Sequence, residues 1–412
     1  MKDYLYLKLF DINTNVTTDA TTGNDLSPEM KTYYEKRLID YAEPNLVHDQ
    51  FADKYPIPRN GGKTIEFRKY SPLPKMLDQL TEGVTPDGQN LDVSTITATV
   101  GQYGGYVAIS DVLDLTAIDR NLEQATKLLG SQAGRTLDTI TRDIMVAGDT
   151  VRYAPIISGG TETPVSSRSE ITNEALLTVD EIFKACATLR GYNAVPIDDS
   201  FVAIVHPNVA CDLMLSDKWI DVHKYAQPEN IYRGEIGQLA GVRFVSTTEA
   251  KIWGVTVQNA VNATTTSDTD FVLKNAPDAA AVAYLKTAGN KLNIGGTEYT
   301  IQSYAEGTKT VTLSAAASLS KDAAVYSTDG GASGNSVYAT MVIAANAYAV
   351  TEVNGGGLQH IIKQLGSAGT ADPLNQRATT GWKALKVAER LVEEYMVRIE
   401  HGCAFAPTAK SN

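Results

Sequence analysis

Two strand-like runs separated by a proline-laden stretch constrain this chain more than any other feature. In "TIEFRKY", residues 64–70, Ile65 and Phe67 alternate with Glu66 and Arg68, the period-two pattern of a half-buried strand. About twenty residues follow that hold Pro72, Pro74, Gly83 and Pro86 and include "LTEGVTPDGQNLD". The run "VSTITATVGQYGGYVAIS", 93–110, is then rich in Thr, Val, Ile and Tyr, which favour strands. Two long strands with such a tip make an extended hairpin, and a first strand over 63–70 reaches about 26 Å at ~3.3 Å per residue. Isolated hairpins are marginal in water. This one needs a surface to lie on, no nearby apolar helix in the sequence offers it, and another molecule is a candidate source.

The start of the hairpin, "RNGGKTIEFRKYSPLP" (59–74), contains Gly-Gly-Lys-Thr, the ending of a phosphate-cradling loop. A P-loop needs its first glycine at position 57, which is Ile57, and a helix after the Lys-Thr. Here a strand pattern follows, so the segment reads as a turn feeding a strand. The chain's 412 residues suffice for two or three domains, and 43% hydrophobic with 20% charged residues is an ordinary globular balance. No run approaches the ~18 apolar residues of a membrane span, and the N-terminal "MKDYLYLKLFDINTN" lacks the apolar core of a secretory signal. Cys186, Cys211 and Cys403 are far apart and form neither a zinc pattern nor a disulfide framework, which fits synthesis in a reducing cytoplasm. A net charge of −12 argues against a broad basic face gripping DNA, though not against enclosing DNA without gripping it.

Residues 1–56 read as an arm in which Ser27-Pro28 opens an amphipathic helix, "SPEMKTYYEKRLIDYAEP". Residues 117–148 carry the strongest helical pattern, with Ile118, Leu122, Ala125, Leu129, Ala133, Leu137, Ile140 and Ile144 at spacings of three and four. Gly130 and Gly134 within it are expected to permit close packing or a mild bend. Mixed α/β character spans 176–255. It comprises a capping box at Thr178–Glu181, a buried strand "FVAIVHP" (201–207), a short helix "NVACDLMLSD", and a helix then strand in 234–250. Thr-, Ser-, Ala- and Gly-rich sequence over 256–336 reads as a small all-β module with strands at 297–303 and 308–314. A strand over 339–350 and a helix "LQHIIKQLG" follow. At the end of the chain, 382–388 and 395–401 read either as strands around a helical turn or as one longer helix.

Catalytic patterns are sparse. His206 and His223 lie seventeen residues apart with Cys211 and Asp212 between, a spacing that does not suggest zinc. No HExxH or GxSxG occurs. The glycine runs at 328–335 and 354–357 lack the strand-to-helix setting of a dinucleotide site. Asp268 and Asp270 lack the other ligands of a calcium loop, and Glu393-Glu394 reads as solvated. The chain is therefore read as non-enzymatic, with no cofactor and no metal.

The order of these segments resembles the major capsid protein of tailed double-stranded DNA bacteriophages, an α+β fold of the Hong Kong 97 type. "LTEGVTPDGQNLDVSTITATVGQYGGYVAISDVLDL" (80–115), "RTLDTITRDIM" (135–145), "HPNVACDLML" (206–215) and "PLNQRATTGWKALK" (373–386) resemble its coliphage N-four-like branch. The resemblance covers 25–255 and 337–405. It implies an N-terminal arm (1–56) and an extended loop (57–105) that reaches across a neighbouring subunit. A peripheral domain (106–175 and 373–412) would carry the spine helix, and an axial domain (176–255 and 337–372) would carry the inserted β domain (256–336). The intersubunit contact candidates are Arg59, Lys63, Phe67, Arg68, Lys69, Lys75 and Glu82, the basic ones facing neighbouring carboxylates. The implied product is an icosahedral shell of hexamers and pentamers enclosing double-stranded DNA without sequence-specific binding, built in the host cytoplasm and found in the virion, with no membrane. With no long helical segment ahead of the arm, a separate scaffolding protein is expected, alongside a portal and possible decoration proteins. The alternative is a binding or decoration role for the inserted β domain at the shell surface.

Overall fold

The computed structural model describes residues 14–15, 47–56, 63–70, 73, 75–77, 79, 88–116, 121–216, 218–219, 237–351, 358–363 and 374–412. The expected arm helix over 27–44 lies outside them. Contacts divide the chain into two units, the first made of 1–46, 53–141 and 349–391, the second of 47–52, 142–348 and 392–412. These boundaries differ from the expected ones at 175/176 and 372/373. Met396–His401 pairs with Val337–Ile343, and Leu358–Lys363 pairs with Arg377–Lys386, so each expected domain gives up a strand to the other.

In the first unit, a four-stranded sheet runs in the order Thr14–Asn15, Gly101–Ser110, Arg377–Lys386, Leu358–Lys363. The long helix, Asn121–Val146, has 26 residues and is about 39 Å long at ~1.5 Å per residue. Its apolar stripe places Leu129, Ala133 and Leu137 against Trp382 and Ala384, and Ala125 against Ile109 and Leu113. Polar links pin the same face, with Trp382 Nε1 donating to Gln132 Oε1 at 3.2 Å and the Thr126 and Thr380 hydroxyls 3.3 Å apart. Gly130 faces open space, so the close packing expected of it does not arise there.

The run 93–110 is two strands, not one. Val93–Thr99 pairs with Thr64–Tyr70, and after Val100 the chain enters the four-stranded sheet as Gly101–Ser110. The segment "LQHIIK" is a strand, Leu358–Lys363, where a helix was predicted. Short apolar runs carry no decisive period, and six residue pairs with Arg377–Lys386 decide the matter. Of the two readings of the C-terminal region, strands around a turn is the observed one: Arg377–Lys386, Ala388–Arg390, a 3-10 turn at Glu393–Tyr395 and Met396–His401.

In the second unit, a seven-stranded mixed sheet runs Gln238–Leu239, Val242–Ser246, Phe201–Val205, Val337–Ile343, Met396–His401, Val151–Tyr153, with Ile252–Trp253 beside Val337–Ile343. Every residue of Phe201–Val205 and of Val337–Ile343 is buried, as continuous apolar strands require. The expected strand over 339–350 breaks after Ile343 and resumes at Tyr348–Thr351, with Asn346 at φ +58° in the turn. Helix Val179–Gly191 is capped by the Thr178 hydroxyl, which accepts from the Glu181 N–H, and packs Ile182, Ala185 and Leu189 into the core. The helix expected within 234–250 is replaced, over the described residues, by a tight hairpin. Ala240 and Gly241, at φ +58° and +79°, make its turn.

The sheet also buries charge. Glu400 is fully buried between Arg168, at 2.7 Å, and Arg398, at 2.8 Å, while the Arg168 guanidinium lies 3.6 Å from the centre of the Trp253 ring. The next residue, His401, is equally buried. Its Nδ1 lies 2.8 Å from the Gly402 carbonyl, which can only accept, so Nδ1 carries the proton and Nε2 accepts from the Thr340 hydroxyl at 2.9 Å. Desolvation pushes its pKa down to about 4, against the raising influence of the Gly402 carbonyl, Asp212 and Glu400.

Residues 258–327 form a six-stranded antiparallel sheet in the order Gln258–Ala260, Ala324–Ser327, Lys291–Ile294, Thr297–Ala305, Thr310–Ala317, Asp268–Val272. Its outer strands meet through the Val261–Leu273 bridge, with Asn262 N–H donating to Val272 O and Lys274 N–H to Ala260 O, both at 2.9 Å. The sheet thus closes on itself around Phe271, Leu292, Ile294, Ile301, Val311, Leu313 and Val325. The all-β expectation misses one helix, Ala279–Lys286, whose Leu285 enters this core. The alanine-rich "DAAAVAYLK" behind an Asp278 cap is the overlooked signal.

Candidate assembly surface

The hairpin is built on a ladder of seven residue pairs from Thr64↔Thr99 to Tyr70↔Val93. Paired residues share a face, and the alternation sorts the side chains. Ile65, Phe67, Ile96 and Ala98 lie on one face and pack on Ala349, Val387 and Leu391. The Phe67 ring meets the Tyr55 ring edge-on at a centroid distance of 5.1 Å. Tyr55 belongs to the strand Asp53–Tyr55, which pairs in parallel with Tyr348–Thr351, and burial there raises the Asp53 carboxyl above its usual range. The root of the hairpin therefore finds its surface within its own chain, where another molecule was a candidate source. The opposite face presents Glu66 and Arg68 to solvent beside Thr97 and Thr95.

Beyond the ladder the large apolar side chains among the described residues are uncovered. Leu73 is 50% exposed, Met76 61%, Leu77 84% and Leu91 68%, with Val93 at the ladder's end also exposed. A solvated loop has no use for this series, and its leucines and methionine among prolines were the sequence signal that went unread.

The sequence-predicted contact residues divide three ways. Lys63, Arg68 and Lys75 are exposed on the hairpin. Phe67 is only 6% exposed and anchors the root inside its own chain. Lys69 holds a strand position opposite Ser94, and Arg59 and Glu82 lie outside the described residues. Among the described residues, no group of three His, Cys, Asp or Glu side chains could hold a metal ion. His206 caps the helix Pro207–Met214 through Nδ1, which accepts from the Asn208 N–H at 3.2 Å, while His223 lies outside the described residues.

No protein-family model and no curated protein sequence matches the chain. Solved structures do. The capsid of cyanophage P-SCSP1u superposes with a TM-score of 0.55 at 10% identity, over 93% of this chain and 96% of that one. The capsid of Ralstonia phage GP4 gives 0.55 at 11% identity, over 94% and 98%. The mature capsid of bacteriophage PhiM1 gives 0.50 at 12% identity, over 97% and 99%. At such identities the fold is what is shared. This chain has the fold of tailed-phage capsid proteins, the Hong Kong 97-like fold.

Proposed function

We propose that this chain is a major capsid protein, a structural subunit that assembles into the icosahedral head of a tailed phage around double-stranded DNA. The observation that carries the reading is the likeness to capsid subunits over 93–97% of the chain. The hairpin supports it: anchored at its root, it exposes apolar residues at its far end that a neighbouring copy would cover. Shell contacts must close head-to-tail while tolerating small changes of angle, and a long arm supplies contact area without fixing that angle. Several modest contacts to several neighbours then reinforce one another. In the same reading, subunits group as hexamers and pentamers. A scaffolding protein, a portal and decoration proteins are the expected partners, and assembly takes place in the host cytoplasm. The four quoted motifs support the N-four-like branch. Electron microscopy and sedimentation of the purified chain test the reading. Megadalton shells are expected, and a species that stays at the 44.3 kDa of one chain under all conditions would overturn it.

A second reading concerns the closed barrel of 258–327, taken as an inserted domain. Its two ends adjoin, since Val257 N–H donates to the Ser327 hydroxyl and Thr256 N–H to Asp329. A module joined at one point is suited to project from the shell and bind a decoration protein or a host surface. Excising it should leave shells intact if that role is peripheral.

A further inference from the structure

The barrel of 258–327 meets the rest of its unit at more than the chain joint. Its strand Thr297–Ala305 carries Glu298, whose Oε1 accepts from the Ser169 hydroxyl at 2.7 Å while Oε2 lies 3.4 Å from Lys291 Nζ. Ser169 belongs to a 3-10 turn, Arg168–Glu170, that neighbouring side chains close: Ser166 N–H donates to Glu170 Oε2 at 2.9 Å, and the Ser167 and Ser169 hydroxyls are 3.1 Å apart. The turn stands on buried charge. Arg168 Nε and Nη2 donate to the two carboxylate oxygens of Glu400 at 2.8 and 2.7 Å, and Arg398 Nε donates to Glu400 Oε1 at 2.8 Å. Arg398 also donates to the Val146 and Gly148 carbonyls at the end of the long helix. On the other side of the turn, the Ile171 carbonyl accepts from Ala332 N–H at 2.8 Å, just past the point where the chain leaves the barrel. At that joint Asp329 accepts from the Thr256 and Ser327 hydroxyls and from Thr256 N–H, which zips the incoming segment to the outgoing one.

We propose that residues 166–171 are a brace that holds the barrel in one orientation on the seven-stranded sheet, with Glu400 as its footing. Modules that meet through small polar interfaces move relative to one another by default. Here the motion is opposed at two separate places. Asp329 closes the joint, and Ser169 holds Glu298 at the start of a different strand. A second attachment stops the rotation that a single joint leaves free. The footing explains an otherwise idle group. A buried carboxylate between two arginines adds little to stability over apolar packing, because desolvation offsets the attraction. Its use here is to aim Arg168, and through Arg168 the turn that carries Ser169. Glu400 is thus a positioning residue for the barrel. The same carboxylate, through Arg398, ties the brace to the end of the long helix. The brace is a property of the single chain and does not depend on the capsid reading.

Spin-label distances in the full chain test the brace. Labels go on two exposed positions, Ala187→Cys on the helix Val179–Gly191 and Gln302→Cys on the barrel, in a Cys211→Ser background that keeps the buried Cys186 and Cys403. Dilution with unlabelled chain keeps each measured pair within one copy. A single distance is expected, as narrow as that of a reference pair off the barrel, Ala187→Cys with Ser246→Cys. Ser169→Ala with Glu298→Ala should about double its width. Gly331→Ala should do likewise. Its φ of −85° suits any residue, but the new Cβ would lie 2.5 Å from the Ile171 carbonyl oxygen and must push the joint off the brace. Glu400→Gln should broaden the distance from beneath, and the two surface variants carry the test should it fail to fold. Lys274→Ala, which breaks the Lys274–Asp322 pair elsewhere on the barrel, is the control and should leave the width unchanged. A broad or multiple distance in the parent overturns the proposal. So does a width that the brace variants leave unmoved, or that Lys274→Ala moves equally, and a folded Glu400→Gln with an unmoved width overturns the footing.

Discussion

Phe67→Ala isolates what the hairpin root contributes. The ring is 6% exposed, packed on Ala98 and Ala349 and edge-on to Tyr55. Phe→Ala in a core costs about 3–5 kcal/mol. The low end applies here, because Ile65, Ile96, Val387 and Leu391 around the ring are only partly buried and can close on part of the void. A loss of about 3 kcal/mol corresponds to a roughly 150-fold shift in a local opening equilibrium, at ~1.4 kcal/mol per factor of ten. Amide hydrogen exchange reads that opening directly. Protection across Thr64–Tyr70 and Val93–Thr99 should fall by about two orders of magnitude. Amides of the helix Asn121–Val146, whose apolar contacts are to Trp382 and Ile109, should change little. Thr97→Ala on the exposed face of the same ladder is the control and should stay within ~0.5 kcal/mol of the parent. Protection that drops less than tenfold at the hairpin, or drops equally in the long helix, would refute the inference that this ring fastens the hairpin to its own chain.

Other perturbations probe the rest of the molecule. Deleting 66–100 should leave a protein that still melts cooperatively but forms no shells in the micrograph. His401, neutral and buried with its pKa near 4, takes up a proton in the unfolded chain at ~6.5. Its contribution is therefore complete above pH 6.5 and is lost as pH falls toward 4. Urea melts should show wild type losing on the order of 3 kcal/mol relative to His401→Gln across that window. Glu400→Ala leaves two guanidinium groups facing a buried void and should cost about 3–5 kcal/mol in the same assay. Residues 255–330 expressed alone should give dispersed amide resonances and a cooperative melt, because the closed barrel has its own core and its ends lie side by side.

How much of this was legible in the sequence depended on whether local chemistry or distant pairing made the decision. The long helix showed itself through a stripe uninterrupted by proline, and the capped helix at Val179 through Thr178 and Glu181. The hairpin ladder showed itself through alternation at Ile65 and Phe67. What stayed hidden was decided by partners far along the chain. Leu358–Lys363 is a strand because Arg377–Lys386 offers it an edge, and nothing in "LQHIIK" announces that. The single run 93–110 divides because Val93–Thr99 answers to residues 64–70 while Gly101–Ser110 answers to 377–386. Of the contact residues read from the sequence, the charged ones lie along the hairpin, while Phe67 lies on the inward phase of the ladder. Its aromatic bulk on the inward phase of the ladder fastens the hairpin within its own chain, while the apolar residues left uncovered sit further out.

That contrast supports the functional argument. Inside the two units, side chains with polar atoms out of solvent have partners, and among the described residues only Arg152 Nε and the Tyr304 hydroxyl are buried without one. Even Glu400 is matched by two arginines. A sequence that resolves its interior so completely has no folding reason to leave Leu77 84% exposed beyond the end of a ladder. Such exposure costs a lone chain solubility. Under the proposed capsid reading, that cost is offset where a neighbouring copy covers the series.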